Sequence, residues 1–208
     1  LAFWLIVAGI VFDFFDGFVA RLLHSSSAIG VQLDSLADVI TSGLAPAAVL
    51  WQVCLQTEPC WLPETWKLGY GVFVLAAFSA LRLAKFNIDE TQTVEFCGLP
   101  TPAGSLLCAS LGMLWQQGAV ALSSDGVLLI AVLTSLLLVS PIRMFALKFH
   151  GFGWRGNEVR YLFLLASIVL IIILRTYAIP VIIVLYIVVS AVRWLCMRSG
   201  NPDKAPKA

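Results

Sequence analysis

Seven apolar runs, each long enough to cross a lipid bilayer as a helix, make up most of this 208-residue chain. About 20 apolar residues span a hydrocarbon core of roughly 30 Å, where only helices or closed barrels satisfy their own backbone hydrogen bonds. Hydrophobic residues form 60% of the chain and charged residues 12%, about half the charged share of a soluble domain. The sequence therefore predicts an all-α, polytopic membrane bundle with spans at about 1–23, 28–55, 67–86, 100–119, 126–148, 159–175 and 177–198.

The chain shows no internal repeat, so residues 1–198 are predicted to form a single transmembrane domain. Residues 199–208 are polar and are predicted to be a disordered cytoplasmic tail. Five cysteines contain no C-x-x-C pair. Cys54 and Cys60 flank one loop and could form a disulfide outside the cell, but the odd number of cysteines favours free thiols.

Lysine and arginine positions predict the orientation, because these residues accumulate in cytoplasmic loops. If the loop after Arg21 is cytoplasmic, eleven of the thirteen Lys and Arg lie on that side, and only Lys67 and Arg175 lie on the other. We therefore expect an integral protein of the cell (inner) membrane, with membrane lipids and no nucleic acid among its partners. The basic loop from Arg155 to Arg160 is expected to meet anionic lipid headgroups.

Four aspartates interrupt the first two apolar runs. Asp13 and Asp16 are three residues apart, and Asp34 and Asp38 are four apart, so each pair lies on one face of its helix. An aspartate at mid-bilayer costs roughly 2.5–3.5 kcal/mol on insertion scales, so four of them need a binding partner. Carboxylate oxygens suit hard cations, and the cluster predicts a site for Mg²⁺, Mn²⁺ or Ca²⁺ near the cytoplasmic end of these spans.

The full run reads D-x2-D-G-x2-A-R-x8-G-x3-D-x3-D, from Asp13 to Asp38. It resembles the signature of the CDP-alcohol phosphotransferase family at every fixed position and spacing. Members of that family transfer a phosphatidyl or related group from a CDP-linked donor to an alcohol and release CMP. The resemblance implies a membrane enzyme that uses Mg²⁺ or Mn²⁺, with two ions neutralising the donor pyrophosphate.

The same resemblance assigns roles to the motif residues. It implies that Asp13, Asp16, Asp34 and Asp38 surround the metal ions and that Asp38 is the general base for the acceptor hydroxyl. Binding of the CDP donor is implied for Asp13, Gly17, Ala20, Arg21 and Gly30. Gly17 and Ala20 leave room for the cytidine beside the helix, Arg21 can pair with phosphate, and Gly30 is expected to allow close helix approach.

Three further segments resemble the membrane-integral phosphatidylserine synthase branch of the family. They are Ala80–Asn87 (ALRLAKFN), Phe96–Gly104 (FCGLPTPAG) and Val139–Lys148 (VSPIRMFALK). The resemblance implies CDP-diacylglycerol and L-serine as substrates, with phosphatidylserine and CMP as products. Serine needs a cation for its carboxylate, and the candidates for acceptor binding are Arg82, Lys85, Asn87 and Arg143, with Lys148 as a further cation.

The sequence also allows another acceptor and, more remotely, another class of function. The acceptor could be glycerol 3-phosphate or inositol phosphate, since the available cations also suit a phosphate. A more remote alternative is an ion transporter that uses the aspartates, although the chain lacks repeat symmetry. The family commonly dimerises and usually has one more span ahead of the motif, so the resemblance implies a homodimer and an additional N-terminal span.

Overall fold

The computed structural model describes residues 1–23, 27–61, 69–88, 95–145 and 157–200, without the side chains of Arg21, Glu95, Phe96 and residues 198–200. This part of the chain is almost entirely helical, as predicted. The helices are α1 (Ala2–Leu22), α2 (Ala28–Asp38), α3 (Ala45–Gln56), α4 (Val74–Ile88), α5 (Thr101–Gln116), α6 (Ser124–Leu138), α7 (Glu158–Leu174) and α8 (Ala178–Gly200).

Four helical stretches of the described residues are long and apolar enough to cross a membrane. They are Ala2–Ala20, Ala28–Gln56, Gly69–Ile88 and Glu158–Met197, and the shorter Ser124–Leu138 is also apolar. The last stretch breaks at Arg175, whose φ of 47° ends α7 before a 3₁₀ turn leads into α8. The predicted number of seven spans is therefore not confirmed, although a helix is present within each predicted range.

The fifth predicted span, 126–148, is wrong over residues 139–145, and residues 146–148 lie outside the described part. Helix α6 ends at Leu138, and Arg143–Phe145 forms a short strand, β2, that pairs antiparallel with Glu95–Cys97, β1. Pro141 explains the early end, because proline lacks the N–H that a continuing helix needs. The strand brings Arg143 opposite Cys97 at the start of the segment that leads into α5.

Helix α2 is joined to α3 without a loop. A π-helical segment, Val39–Leu44, continues the chain directly after Asp38. Residues 28–56 therefore form one continuous helix with a π-helical turn in its middle. This turn is buried at Ser42 and Gly43 and packs against α4. Such π turns are rare and occur frequently at functional sites. Here the turn begins immediately after the last motif aspartate.

The main core lies where α3, α5, α6 and α8 meet. Its largest fully buried side chains include Leu50, Leu99, Leu138 and Phe145. Tyr186 on α8 fastens strand β2 to this core, since its hydroxyl donates to the Phe145 carbonyl at 2.9 Å. Helix α1 packs against α5 through a smaller cluster of Phe3, Ile6 and Ala109. This smaller cluster holds α1 against the rest of the bundle, whereas α2 has no buried residue and contributes to neither cluster.

Two surface expectations have clear outcomes. Arg160 is 7% exposed and donates to Asn157 Oδ1 at 2.9 Å, so it does not present its charge to lipid headgroups. Arg155 lies outside the described residues.

Cys54 is buried, Cys60 is exposed, and both are free thiols. The Cys60 backbone N–H instead donates to Asp125 Oδ2 at 2.8 Å, which ties the loop after α3 to the start of α6.

Candidate active site

Three of the four motif aspartates converge between α1 and α2. Asp13 and Asp16 lie one turn apart on α1, and Asp34 lies on α2. One carboxylate oxygen from each residue lies within 4.8 Å of the others. The i, i+3 spacing explains the first pair, and the return of the chain through Ser27, which caps α2 with its hydroxyl on Gly30 N, brings in the third.

The chemistry of this cluster fits a hard divalent cation. All three ligands are carboxylate oxygens, which Mg²⁺ and Mn²⁺ prefer. Oxygens on opposite sides of Mg²⁺ are about 4.2 Å apart, so small side-chain rotations would close the observed spread around one ion. Within the part of the chain that the structure describes, no side chain donates a hydrogen bond to these carboxylates. Three adjacent negative charges repel each other unless a cation compensates them.

Asp38 lies beside this group and has a different environment. Its Oδ2 accepts a hydrogen bond from Thr101 Oγ1 at 3.0 Å. It interacts electrostatically with Asp13 and Asp34 but is not a member of the three-carboxylate cluster. The structure therefore separates the predicted four-aspartate set into three clustered oxygens and one carboxylate held by a neighbouring helix. This arrangement is compatible with a distinct chemical role for Asp38.

Arg82 on α4 is the acceptor-site candidate closest to Asp38 in the hydrogen-bond network. It is 8% exposed, and its Nη1 donates to Thr101 Oγ1 at 3.1 Å. Its Nε has no hydrogen-bond partner among the described residues. A buried guanidinium with an N–H still available, next to a carboxylate, can bind a second anionic group.

The other acceptor candidates lie farther from Asp38 in this network. Lys85 and Asn87 are exposed in the last turn of α4, and Asn87 Nδ2 donates to Ser35 Oγ at 2.9 Å, directly after Asp34. Arg143 is exposed on β2, opposite Cys97. Lys148 lies outside the described residues. Arg82 is thus linked to Asp38 through Thr101, and Asn87 is linked to α2 through Ser35.

The small residues of the motif differ in their surroundings. A Cβ added to Gly17 would meet nothing within 4 Å, so the surface beside it is open, as the prediction of a nucleotide-binding face requires. Ala20 lies one turn later on α1, and the Arg21 side chain is outside the described part. Gly30 would meet only its own cap, Ser27 Oγ, at 3.0 Å. The close helix approach expected at Gly30 is therefore not found among the described residues.

Sequence reasoning missed Thr101 and Ser35 as members of the site. Thr101 lies in the GLPTP run, Gly98–Pro102, which the sequence marks as a rigid entry into a helix. A threonine in the first turn of a helix is usually read as a capping residue, and this obscured its contact with Asp38. Ser35 stands between two motif aspartates, and nothing in its spacing distinguishes it.

Comparisons with known proteins agree with this geometry. The sequence profile described as CDP-alcohol phosphatidyltransferase matches residues 1–142. A Helicobacter pylori protein named CDP-diacylglycerol–serine O-phosphatidyltransferase is 31% identical over 94% of this chain and 80% of its own length. Proteins of the same name from Bacillus subtilis and Mycobacterium tuberculosis are 33% and 34% identical, over 70% and 98% of this chain and 75% and 73% of their own lengths.

Proposed function

The chain belongs to the CDP-alcohol phosphatidyltransferase family, and we propose that it transfers a phosphatidyl group from CDP-diacylglycerol to L-serine. The observation that carries the proposal is the convergence of Asp13, Asp16 and Asp34 within 4.8 Å, at the positions of the family signature. The serine acceptor is supported by the name shared by the relatives from three bacterial genera. Family membership also leaves the transporter alternative without support.

In the proposed reaction, the serine hydroxyl oxygen forms a bond to the phosphorus that carries diacylglycerol. The bond between that phosphorus and the bridging oxygen breaks, and CMP leaves with the electron pair. The serine hydroxyl gives up its proton, which we assign to Asp38 as general base. Phosphatidylserine and CMP are the products, and the atoms balance without a redox partner.

Asp13, Asp16 and Asp34 would hold divalent metal, Mg²⁺ or Mn²⁺, with Asp38 next to them. Bound metal would supply positive charge to the donor pyrophosphate and to the leaving phosphate oxygen. The open space beside Gly17 supports its assignment to the cytidine-binding face, and Ala20, one turn later on α1, is assigned to the same face through the motif. Arg21 is assigned to the donor phosphate, and Gly30 remains a donor-site candidate through its place in the motif.

Arg82 is the best-supported ligand for the serine carboxylate. Its Nη1 is already bound to Thr101, while its Nε is unpaired among the described residues and lies in a buried setting. A carboxylate held there would bring the serine hydroxyl toward Asp38, because both residues contact the same threonine hydroxyl. Lys85, Asn87 and Arg143 remain weaker candidates because they are exposed.

The donor lipid would approach the site from within the membrane. Large apolar side chains of α1 beside the motif, including Phe12, Phe15 and Val19, are exposed on the surface of the bundle. Removing lipid tails into water costs about 0.8 kcal/mol per CH₂, so lateral entry is strongly favoured. The distribution of Lys and Arg supports an active site that faces the cytoplasm at the inner membrane.

The test is CMP release by the purified protein with CDP-diacylglycerol and Mg²⁺ or Mn²⁺. The acceptors to compare are serine, glycerol 3-phosphate, inositol phosphate and none. We expect release that requires serine and that disappears with a chelator and returns with added metal. Release with one of the phosphorylated alcohols instead would overturn the serine assignment. Release that persists in chelator would overturn the metal assignment.

A further inference from the structure

Thr101 is placed between two charged side chains that come from different helices. Its Oγ1 lies 3.0 Å from Asp38 Oδ2 and 3.1 Å from Arg82 Nη1. Thr101 is 1% exposed and Arg82 is 8% exposed, so water does not compete for these bonds as it would at a surface. The three residues form one hydrogen-bonded chain that joins α4, α5 and the end of α2.

The direction of the hydrogen bonds in this chain is fixed. A guanidinium has five N–H donors and no acceptor, so the Thr101 hydroxyl must accept from Arg82. The hydroxyl has a single proton, which is then free for Asp38 Oδ2. Asp38 Oδ2 consequently accepts from a donor, whereas no donor to Oδ1 is present among the described residues.

The local backbone places this hydroxyl without using it as a helix cap. Helix α5 has Pro100 at its N-cap, Thr101 and Pro102 in its first turn, and no side-chain capping bond. The preceding residues are anchored by Gly98 N to Ile142 O and by Leu99 N to Leu137 O, both at 2.9 Å. A threonine at this position is therefore held rigidly and directed toward another helix rather than toward its own backbone.

We propose that Thr101 is a positioning residue for the reaction: it holds Asp38 Oδ2 so that Oδ1 takes the proton of the acceptor hydroxyl. The proposal rests on the proposed function. Without the threonine hydroxyl, the carboxylate can rotate about its side-chain bonds, and small losses of alignment at a base slow proton transfer strongly. Thr101 itself does not need to touch either substrate.

The experiment compares Thr101→Val, which keeps the shape and removes the hydroxyl, with Thr101→Ser, which keeps the hydroxyl. Thr134→Val is the matched control, because Thr134 is a buried threonine on α6 outside the site. We expect Thr101→Val to lower kcat about 10–100-fold, as the loss of a hydrogen bond to a charged group implies. Thr101→Ser should stay within about threefold of wild type, and Thr134→Val should match wild type.

Binding of CDP-diacylglycerol in the presence of Mn²⁺ and without serine is measured in parallel, since it does not depend on turnover. Donor affinity should change less than about twofold in Thr101→Val, because that variant leaves the three clustered aspartates intact. Thr101→Ala provides the same comparison if the valine variant is not monodisperse.

The outcomes separate the two proposals. Wild-type protein with no serine-dependent CMP release would overturn the proposed function, and with it the role of Thr101. With active wild type, Thr101→Val that retains more than half of kcat would overturn the positioning role alone. So would a serine variant as slow as the valine variant, or a parallel loss of donor binding, which would indicate collapse of the site.

Discussion

Gly43 in the π turn lies directly against Ser79 of α4, so that a Cβ at residue 43 would come within 2.9 Å of Ser79 Cβ. It would also lie 3.3 Å from the backbone Cα of Ala76. Because of this close approach, the continuous helix of residues 28–56, which carries Asp34 and Asp38, packs tightly against α4, which carries Arg82. The contact is thus a structural condition for the hydrogen-bonded chain at the site.

The first prediction concerns this contact. Gly43→Ala should lower the stability of the protein by about 1–3 kcal/mol, because the extra methyl group forces two packed helices apart. It should also lower turnover, since Asp38 moves away from Arg82 and Thr101. Thermal unfolding in detergent and CMP release measure the two effects. A variant with wild-type melting temperature and activity would contradict the proposed role of this packing.

Gly17 provides the opposite case. A Cβ there would meet nothing within 4 Å, so Gly17→Ala should not lower the melting temperature and should raise it slightly, because alanine favours a helix interior over glycine. If cytidine lies against this face, the methyl group should raise the KM for CDP-diacylglycerol about tenfold or more while the KM for serine stays within twofold. Steady-state CMP release at varied donor concentration measures this. An unchanged donor KM would remove Gly17 from the nucleotide-binding face.

Asp38 and Asp34 should behave differently when each is changed to asparagine. Asp38→Asn removes the proposed base and should reduce kcat by about 10²–10⁴-fold while donor binding is largely retained. Asp34→Asn removes one of the clustered oxygens and should raise the Mn²⁺ concentration needed for donor binding. Equilibrium donor binding at varied Mn²⁺, together with CMP release, distinguishes the two. An Asp38→Asn enzyme of normal activity would exclude Asp38 as the base.

Arg82→Lys tests the acceptor site. Lysine keeps the positive charge but lacks the planar set of N–H donors, so the serine KM should rise at least about tenfold and the donor KM should stay within about twofold. Turnover should fall as well, because Thr101 loses its donor. Arg175→Lys is the matched control, since Arg175 is exposed and follows α7 at a distant turn. Equal donor and serine effects would argue against a carboxylate ligand.

The helices could be predicted from the sequence, and so could the shared face of Asp13 and Asp16, because both depend on local spacing. Bilayer-length apolar runs form helices regardless of their neighbours, and residues three apart on α1 share a face. The end of α6 was also readable in principle, since Pro141 lies within the predicted span 126–148. The helical interpretation there gave too much weight to the apolar residues around the proline.

The contact between Thr101 and Asp38 could not be predicted in this way. The two residues are 63 positions apart, and their contact depends on how α5 docks between α1, α3 and α8. The burial of Arg160 also depends on tertiary packing. From the sequence alone, an arginine at the start of a helix is expected to contact lipid headgroups. Long-range packing, rather than local pattern, therefore determines the polar contacts of the acceptor side.

Gly98 lies three residues before Thr101, in the segment that positions the threonine hydroxyl. Its φ is 78°, and an added Cβ would collide with the Leu138 carbonyl oxygen. Gly98→Ala should therefore lower the free energy of unfolding by about 3 kcal/mol or more, with a melting temperature roughly 6–12 °C lower, and should displace Thr101 from Asp38.

Gly118→Ala is the matched control, because Gly118 has a similar φ of 68° but open space around it. That control should cost only about 1–2 kcal/mol and leave CMP release unchanged. Equal losses of stability and activity in both variants would show that backbone strain alone, and not the collision behind Thr101, determines the effect.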